Sequence, residues 1–133
     1  MVAKPFSLAI AGDTANAMDF ITNVLESSTE YSIIGKDLTG NILLWNEGTR
    51  RMYGYEAAEV VGKANSEILH TPEDVALGRP REMMQEALKN GRWEGVIGRV
   101  RKDKKRINAR VVVTPRRDPS GKPIGFLDRK SVV

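Results

Sequence analysis

The sequence predicts an α+β domain: five antiparallel strands in one sheet, several short helices on one face, and an N-terminal amphipathic helix. Three observations carry that expectation. Two short apolar runs, from Tyr31 to Lys36 and from Ile42 to Trp45, flank Thr39-Gly40-Asn41; helical segments stopped by glycine follow; three further strand patterns close the chain.

Residues 1–13 read as a flexible N-terminal arm, with one lysine and an apolar run too short for a secretory signal. Thr14 can cap a helix reaching Ser28, in which Met18, Ile21, Val24 and Leu25 recur at spacings of three and four and form one apolar stripe. That stripe needs a cover, either the sheet of its own domain or the same helix of a second copy. The four residues are therefore the candidate dimerisation surface of a homodimer.

In the first hairpin, Gly40 or Asn41 can supply the positive φ of a tight turn. Asn46 ends the second strand and can cap a helix from Glu47 to Tyr53, which Gly54 stops; a shorter helix from Glu56 to Val61 stops at Gly62. Such a glycine-broken wall has little regular hydrogen bonding and can move. After Ser66 to Leu69 and the loop His70-Thr71-Pro72, Gly78 and Pro80 interrupt any continuous helix, so the helix expected here runs from Pro80 to Asn90, with Met83, Met84, Ala87 and Leu88 as its buried face and Gly91 as its stop. Strands from Trp93 to Arg101, Arg106 to Pro115 and Ile124 to Leu127 follow, the last two joined by the turn Asp118-Pro119-Ser120-Gly121. Residues 128–133 read as a C-terminal tail, and the domain proper as residues 30–127.

At 133 residues the chain has length for one core but not for a separate catalytic module. Apolar residues at 41% and charged residues at 29% are ordinary for a globular protein. No stretch approaches the about 20 apolar residues needed to span a bilayer. With no cysteine, thiolate metal sites, cysteine nucleophiles and thiol-linked chromophores are excluded, and a cytoplasmic location fits. The one histidine, His70, excludes any site built on two imidazoles, and no metal site is expected. The net charge is +4, and the segment from Arg99 to Arg117 is rich in Lys and Arg with one acid, Asp103. Because Arg106, Asn108 and Arg110 alternate with Ile107, Ala109 and Val111, these charges read as the solvated face of a sheet, and no aromatic residue interleaves to stack bases, so nucleic acid is not an expected partner. Glu73-Asp74, Glu56 and Glu59 suit helix first turns and surfaces, and no nucleophile–base set or phosphate-cradling loop stands out, so no catalytic residue is assigned.

Several segments, taken in order, resemble a PAS sensory domain. Asp37, Gly40 and Ile42-Leu43-Leu44-Trp45-Asn46 look like the first hairpin of that family; Met52-Tyr53-Gly54-Tyr55 and Glu59-Val60-Val61-Gly62-Lys63 look like the segment after it. Asn90-Gly91-Arg92-Trp93-Glu94-Gly95 resembles the lead into the third strand, and Thr114-Pro115 with Asp118-Pro119-Ser120-Gly121-Lys122-Pro123-Ile124-Gly125 the last hairpin.

The resemblance implies a sensor that reports to an effector in a larger protein, such as a histidine kinase of a two-component system. It also implies a sheet face used as a pocket floor, holding haem, flavin, a small organic ligand or nothing. The absence of cysteine excludes covalent flavin photochemistry and the thiol-linked chromophore; His70 lies in the loop before the long helix, not on it, which argues against haem and suits a partly exposed loop residue or a helix cap. Non-covalent flavin or a small organic ligand stays open. The expected lining residues are Ile34, Leu44, Asn46, Met52, Tyr55, Ile68, Met84, Leu88, Val96, Val111 and Phe126, each of which also suits an ordinary core. The competing expectation is a filled-core module whose output is dimerisation or docking through the first helix.

Overall fold

The computed structural model describes residues 14–27 and 29–132. The expected N-terminal arm, Ser28 and Val133 lie outside the described residues. The chain folds as α1 (Thr14–Ser27), β1 (Ser32–Asp37), β2 (Ile42–Trp45), α2 (Glu47–Tyr53), α3 (Ala57–Val60), a 3-10 turn (Ser66–Leu69), α4 (Pro72–Ala76), α5 (Arg79–Asn90), β3 (Trp93–Val100), β4 (Arg106–Arg117) and β5 (Pro123–Val132). Among the described residues, no helix is long and apolar enough to cross a membrane.

The strands form one sheet in the order β2-β1-β5-β4-β3, every pair antiparallel. The last strand therefore lies at the centre, between the first and the fourth. Asp37 shapes the β1–β2 turn by accepting from the backbone N–H groups of Thr39 at 3.0 Å and Asn41 at 2.9 Å, while Gly40 takes the left-handed conformation at φ 93°. Asp118 repeats the device before β5, accepting from the N–H groups of Ser120 and Lys122.

Asn46 caps α2 as expected, its Oδ1 accepting from Thr49 N–H at 3.0 Å, and Gly54 ends that helix at φ 85°, a left-handed conformation that residues with a side chain rarely adopt. Ahead of Gly78, where no separate helix was expected, the chain forms α4, capped by Thr71 Oγ1 accepting from Asp74 N–H at 3.2 Å with Pro72 in its first turn.

One expected boundary is corrected. The tail expected from residue 128 onward is strand: β5 continues to Val132, paired with β1 through Lys130 and with β4 through Val132. Asp-Arg-Lys-Ser reads as a solvated tail because charge is costly inside a core. Here Phe126, Asp128 and Lys130 all point inward while Arg129 points to solvent, so the two-residue alternation of a strand persists through charged residues.

The core has two apolar clusters. One joins Met83 and Ala87 of α5 to Trp93, Ile97, Ala109, Val111, Val113 and Phe126 of the sheet. The other joins Ile34, Ile42 and Trp45 of the first hairpin to Met52, Tyr53, Val60 and Leu69 of the helical wall.

Candidate functional site

The alternation of β5 places Asp128 in register with Ile34 on one side and Val113 on the other, and Lys130 with Ser32 and Val111. On β1, two residues beyond Ile34, Lys36 lies opposite Phe126. On β3, the alternation that buries Trp93 and Ile97 also buries Arg99, which is 1% exposed. From the wall, Tyr53 and His70 complete the group, and all six side chains are buried. The interior of the sheet thus carries three basic side chains and one carboxylate.

Asp128 Oδ2 accepts from Lys36 Nζ at 3.0 Å and from Lys130 Nζ at 3.3 Å. Arg99 Nη1 lies 2.7 Å from His70 Nε2; a guanidinium can only donate, so that ring nitrogen accepts and the imidazole proton sits on Nδ1. Strand and wall meet there in a single bridge between His70 and Arg99. Lys130 Nζ stands 5.9 Å from the centre of the Tyr53 ring, and Lys36 Nζ 6.0 Å from that of Phe126.

Several of these buried polar atoms have no protein partner: Tyr53 Oη, His70 Nδ1, Arg99 Nε and Nη2, and Asp128 Oδ1. Buried polar groups are nearly always satisfied, so such a concentration in one spot is a property of the site to be explained. Most of these atoms are donors. The interior therefore has an excess of both positive charge and hydrogen-bond donors.

Burial would raise the Asp128 carboxyl, but Lys36, Lys130 and Arg99 outweigh it and hold the group below the ordinary carboxylate range. Burial pushes Lys130 down to about 7, opposed by Asp128 and assisted by Arg99 and Lys36. Burial, then Arg99 and the two lysines, push His70 down to about 2, so the ring is neutral in the folded protein. Burial also raises the Tyr53 hydroxyl to about 12.

These shifts set the pH dependence of folding. Between about 2 and 6.5 the unfolded chain binds a proton at His70 that the folded protein refuses, so stability falls on acidification through that window. Lys130 acts in the same sense between about 7 and 10.5, where the unfolded chain again holds the extra proton, so stability rises with pH. Each group can contribute a slope of up to about 1.4 kcal/mol per pH unit. Urea midpoints are expected to increase from pH 5 to 7 to 9, and Lys130→Met to flatten the upper limb; a flat or falling profile would show that these groups titrate normally.

The structure distributes the expected lining residues unevenly. Ile34, Met52, Val111 and Phe126 are buried on the inner side, and Met84 and Tyr55 are partly buried against the two apolar clusters. Asn46 is buried, but its side chain is occupied: Oδ1 also accepts from Ile33 N–H at 2.9 Å, and Nδ2 donates to the carbonyls of Tyr31 at 3.1 Å and Leu25 at 3.3 Å. It ties α1, β1 and α2 together.

Four lining residues are corrected. Leu44 stands over Gly35 on the outer side, because a bulge opposite Gly35 and Lys36 inserts Leu43 and lets Ile42 and Trp45 point inward instead. Val96 is 49% exposed, since the inward phase of β3 belongs to Trp93, Ile97 and Arg99. Ile68 is exposed because the three-residue period of its turn buries Ser66 and Leu69. Leu88 lies at the rim of α5, whose inner face is Pro80, Met83 and Ala87.

His70 is also corrected: it is buried rather than partly exposed, although it does occupy the C-terminal position of the 3-10 turn. Arg99 leaves the solvated basic face, while Arg106, Asn108 and Arg110 remain on it. Lys36, Arg99, Asp128 and Lys130 were absent from the expected lining set. The signal available for them was phase: Lys36, Arg99 and Asp128 each fall two residues from an inward apolar neighbour, and Lys130 falls two residues beyond Asp128.

The family model of the PAS fold matches residues 21–127. Two-component system protein A of Emericella nidulans is 37% identical over 92 residues, which cover 69% of this chain and 13% of that protein. The chain thus spans a small part of that relative's length. Among solved structures, the PAS domain of a protein from Colwellia psychrerythraea aligns with a TM-score of 0.79 at 22% identity, over 88% of this chain and 97% of that one. An RNA-binding Light-Oxygen-Voltage receptor aligns with a TM-score of 0.75 at 22% identity, over 99% of this chain and 37% of that one. At such identities the structural likeness concerns the fold. The family match over most of the sequence, together with the central last strand and the short helices over one sheet face, establishes that this chain belongs to the PAS family.

Proposed function

We propose that the chain is the sensory domain of a larger signal-transduction protein, binding a small ligand on the inner sheet face and relaying its presence to an attached effector. The observation that carries this reading is the set of buried, unpartnered polar atoms on Tyr53, His70, Arg99 and Asp128. Charged groups on the inner sheet face favour a small polar ligand over a flat flavin ring. The name of the Emericella nidulans relative supports a two-component setting, with a histidine kinase or other effector outside this chain.

A relay to α1 has a physical route. Ser32, in register with Lys130, has its Oγ 3.0 Å from Thr49 Oγ1; Thr49 Oγ1 is 2.7 Å from Asn46 Oδ1, and Asn46 Nδ2 reaches the Leu25 carbonyl. A ligand that binds one arrangement of this network better than another shifts the population toward it. Native mass spectrometry of gently purified protein, with an absorbance spectrum, tests the reading. The expected result is a non-covalent adduct lost on denaturation and no flavin band; bare chain mass with no stability change across a panel of small metabolites would contradict it.

A second reading, homodimerisation through α1, is favoured by a specific feature: Met18, Ile21 and Val24, with Phe20, are exposed on that helix, while Leu25 is half-buried. If α1 pairs with a second copy, Ile21→Glu is expected to shift the light-scattering mass from dimer toward monomer while the circular dichroism spectrum is kept. An unchanged mass would remove α1 from the interface.

A further inference from the structure

Taking the core as a ligand site, the chemistry of its floor narrows the ligand. Arg99 uses Nη1 on His70, which leaves Nε and Nη2, the two donors along one edge of the guanidinium. Two parallel N–H groups in a rigid plane match the two oxygens of a carboxylate. That edge is buried and empty of protein acceptors, and among the described residues Asp128 is the one buried acid. Asp128 is shared by two lysines through Oδ2; Arg99 helps to hold its carboxyl ionised, but one carboxylate, its Oδ1 without a hydrogen-bond partner, faces three cations. The remaining unpartnered donors, His70 Nδ1 and the Tyr53 hydroxyl, likewise require acceptors. A buried charge without a counter-charge is costly, so the site is completed by a molecule that brings both negative charge and acceptor oxygens. The rest of the buried sheet face is largely apolar, with Ile34, Val111 and Phe126 among its residues, which suits a carbon skeleton better than an inorganic oxyanion.

We infer that the ligand is a small organic carboxylate, its carboxylate held in two-pronged fashion by Nε and Nη2 of Arg99 and its charge balanced by Lys36 and Lys130. The side chains of the site are at most 4% exposed, so exchange requires the glycine-broken wall of α2 and α3 to part from the sheet. Binding also carries a proton signature. Lys130 is faced by Asp128 on its own strand, Lys36 on β1, Arg99 on β3, His70 at the end of the 3-10 turn and Tyr53 on α2; burial and the two other cations push its ammonium down to about 7. An added anion favours its charged form, so binding above neutral pH takes up protons.

The test is titration calorimetry and thermal unfolding of the whole chain with acetate, succinate and inorganic phosphate at matched ionic strength. The expected result is saturable binding and stabilisation by a carboxylate probe, with phosphate at least tenfold weaker, and with net proton uptake at pH 8 read from buffers of different ionisation enthalpy. Arg99→Lys keeps the charge but not the paired edge and is expected to weaken carboxylate binding at least tenfold. Should that variant fail to fold, the proton uptake of the unaltered protein decides. Equal responses to phosphate and carboxylate, or none to either, would overturn the inference. An adduct of a neutral or cationic compound in native mass spectrometry would overturn it while leaving the sensory reading intact, whereas bare mass together with no carboxylate response would remove both.

Discussion

Asp128→Asn is expected to lower the free energy of unfolding by about 3–5 kcal/mol, the range found when one partner of a buried ion pair is removed and the other charge is stranded. Asp128 is the acceptor for both Lys36 and Lys130 through one oxygen, and all three side chains are buried. The asparagine keeps the shape and one acceptor oxygen but removes the charge, so the loss reads electrostatics rather than a cavity. Lys130→Met provides the contrast. It deletes one of the two cations competing for Oδ2, puts a flexible apolar side chain of similar length against the Tyr53 ring, and is expected to stay within about 1 kcal/mol of the parent at pH 7 or to exceed it. Urea unfolding at pH 7 measures both. A loss below about 1 kcal/mol for Asp128→Asn would mean that the lysines are neutral or hydrated in the folded state.

Gly125→Ala is expected to be the other severe substitution, with a loss of about 3 kcal/mol or more, at or beyond the upper end for overpacking. A Cβ at Gly125 would overlap the Lys36 carbonyl oxygen and lie 3.2 Å from Asp37 Cα, both backbone atoms of the neighbouring strand. A flexible side chain can swing aside; a paired strand cannot without breaking the β1–β5 ladder, in which Gly125 faces Asp37. The same carbonyl accepts from Arg116 Nη2 at 3.2 Å, which would be displaced as well. Gly98→Ala serves as the control: its Cβ would meet only Thr71 Cγ2 at 3.4 Å, an ordinary contact, so a change within about 1 kcal/mol is expected. Thermal unfolding of the pair distinguishes a clash from a general intolerance of added methyl groups, which would lower both equally.

Local signals were strong where a single chemical device decides a structure. Asn46 as a cap, Gly40 and Gly54 in the left-handed region, and the alternation of β4 were legible because each depends on neighbours a few residues away. The order of elements then sufficed for a five-stranded antiparallel sheet. Three features depended on distant partners and were not legible. The bulge at Gly35 and Lys36 rephases the first hairpin, so Ile42 rather than Leu44 faces inward. Val96 and Ile97 are both apolar, and only the pairing of β3 with β4 decides which is buried. Above all, Asp128 and Lys130 read as a tail because their burial is tolerable only with Lys36 beside them, 92 residues from Asp128 in sequence. Charged residues were assigned to solvent by type. Extending the two-residue phase past Phe126 and past Ile97 would have placed Asp128, Lys130 and Arg99 inside.

The most direct measurement is the electron density around Arg99 in crystals of protein purified under mild conditions and of the same crystals soaked in succinate. A two-oxygen group within hydrogen-bond distance of both Nε and Nη2, with carbon density continuing from it into the core, is the predicted result. Water alone on that edge in both crystals, or a protein side chain closing over it, would contradict the account of the inner sheet face as a carboxylate-sensing site.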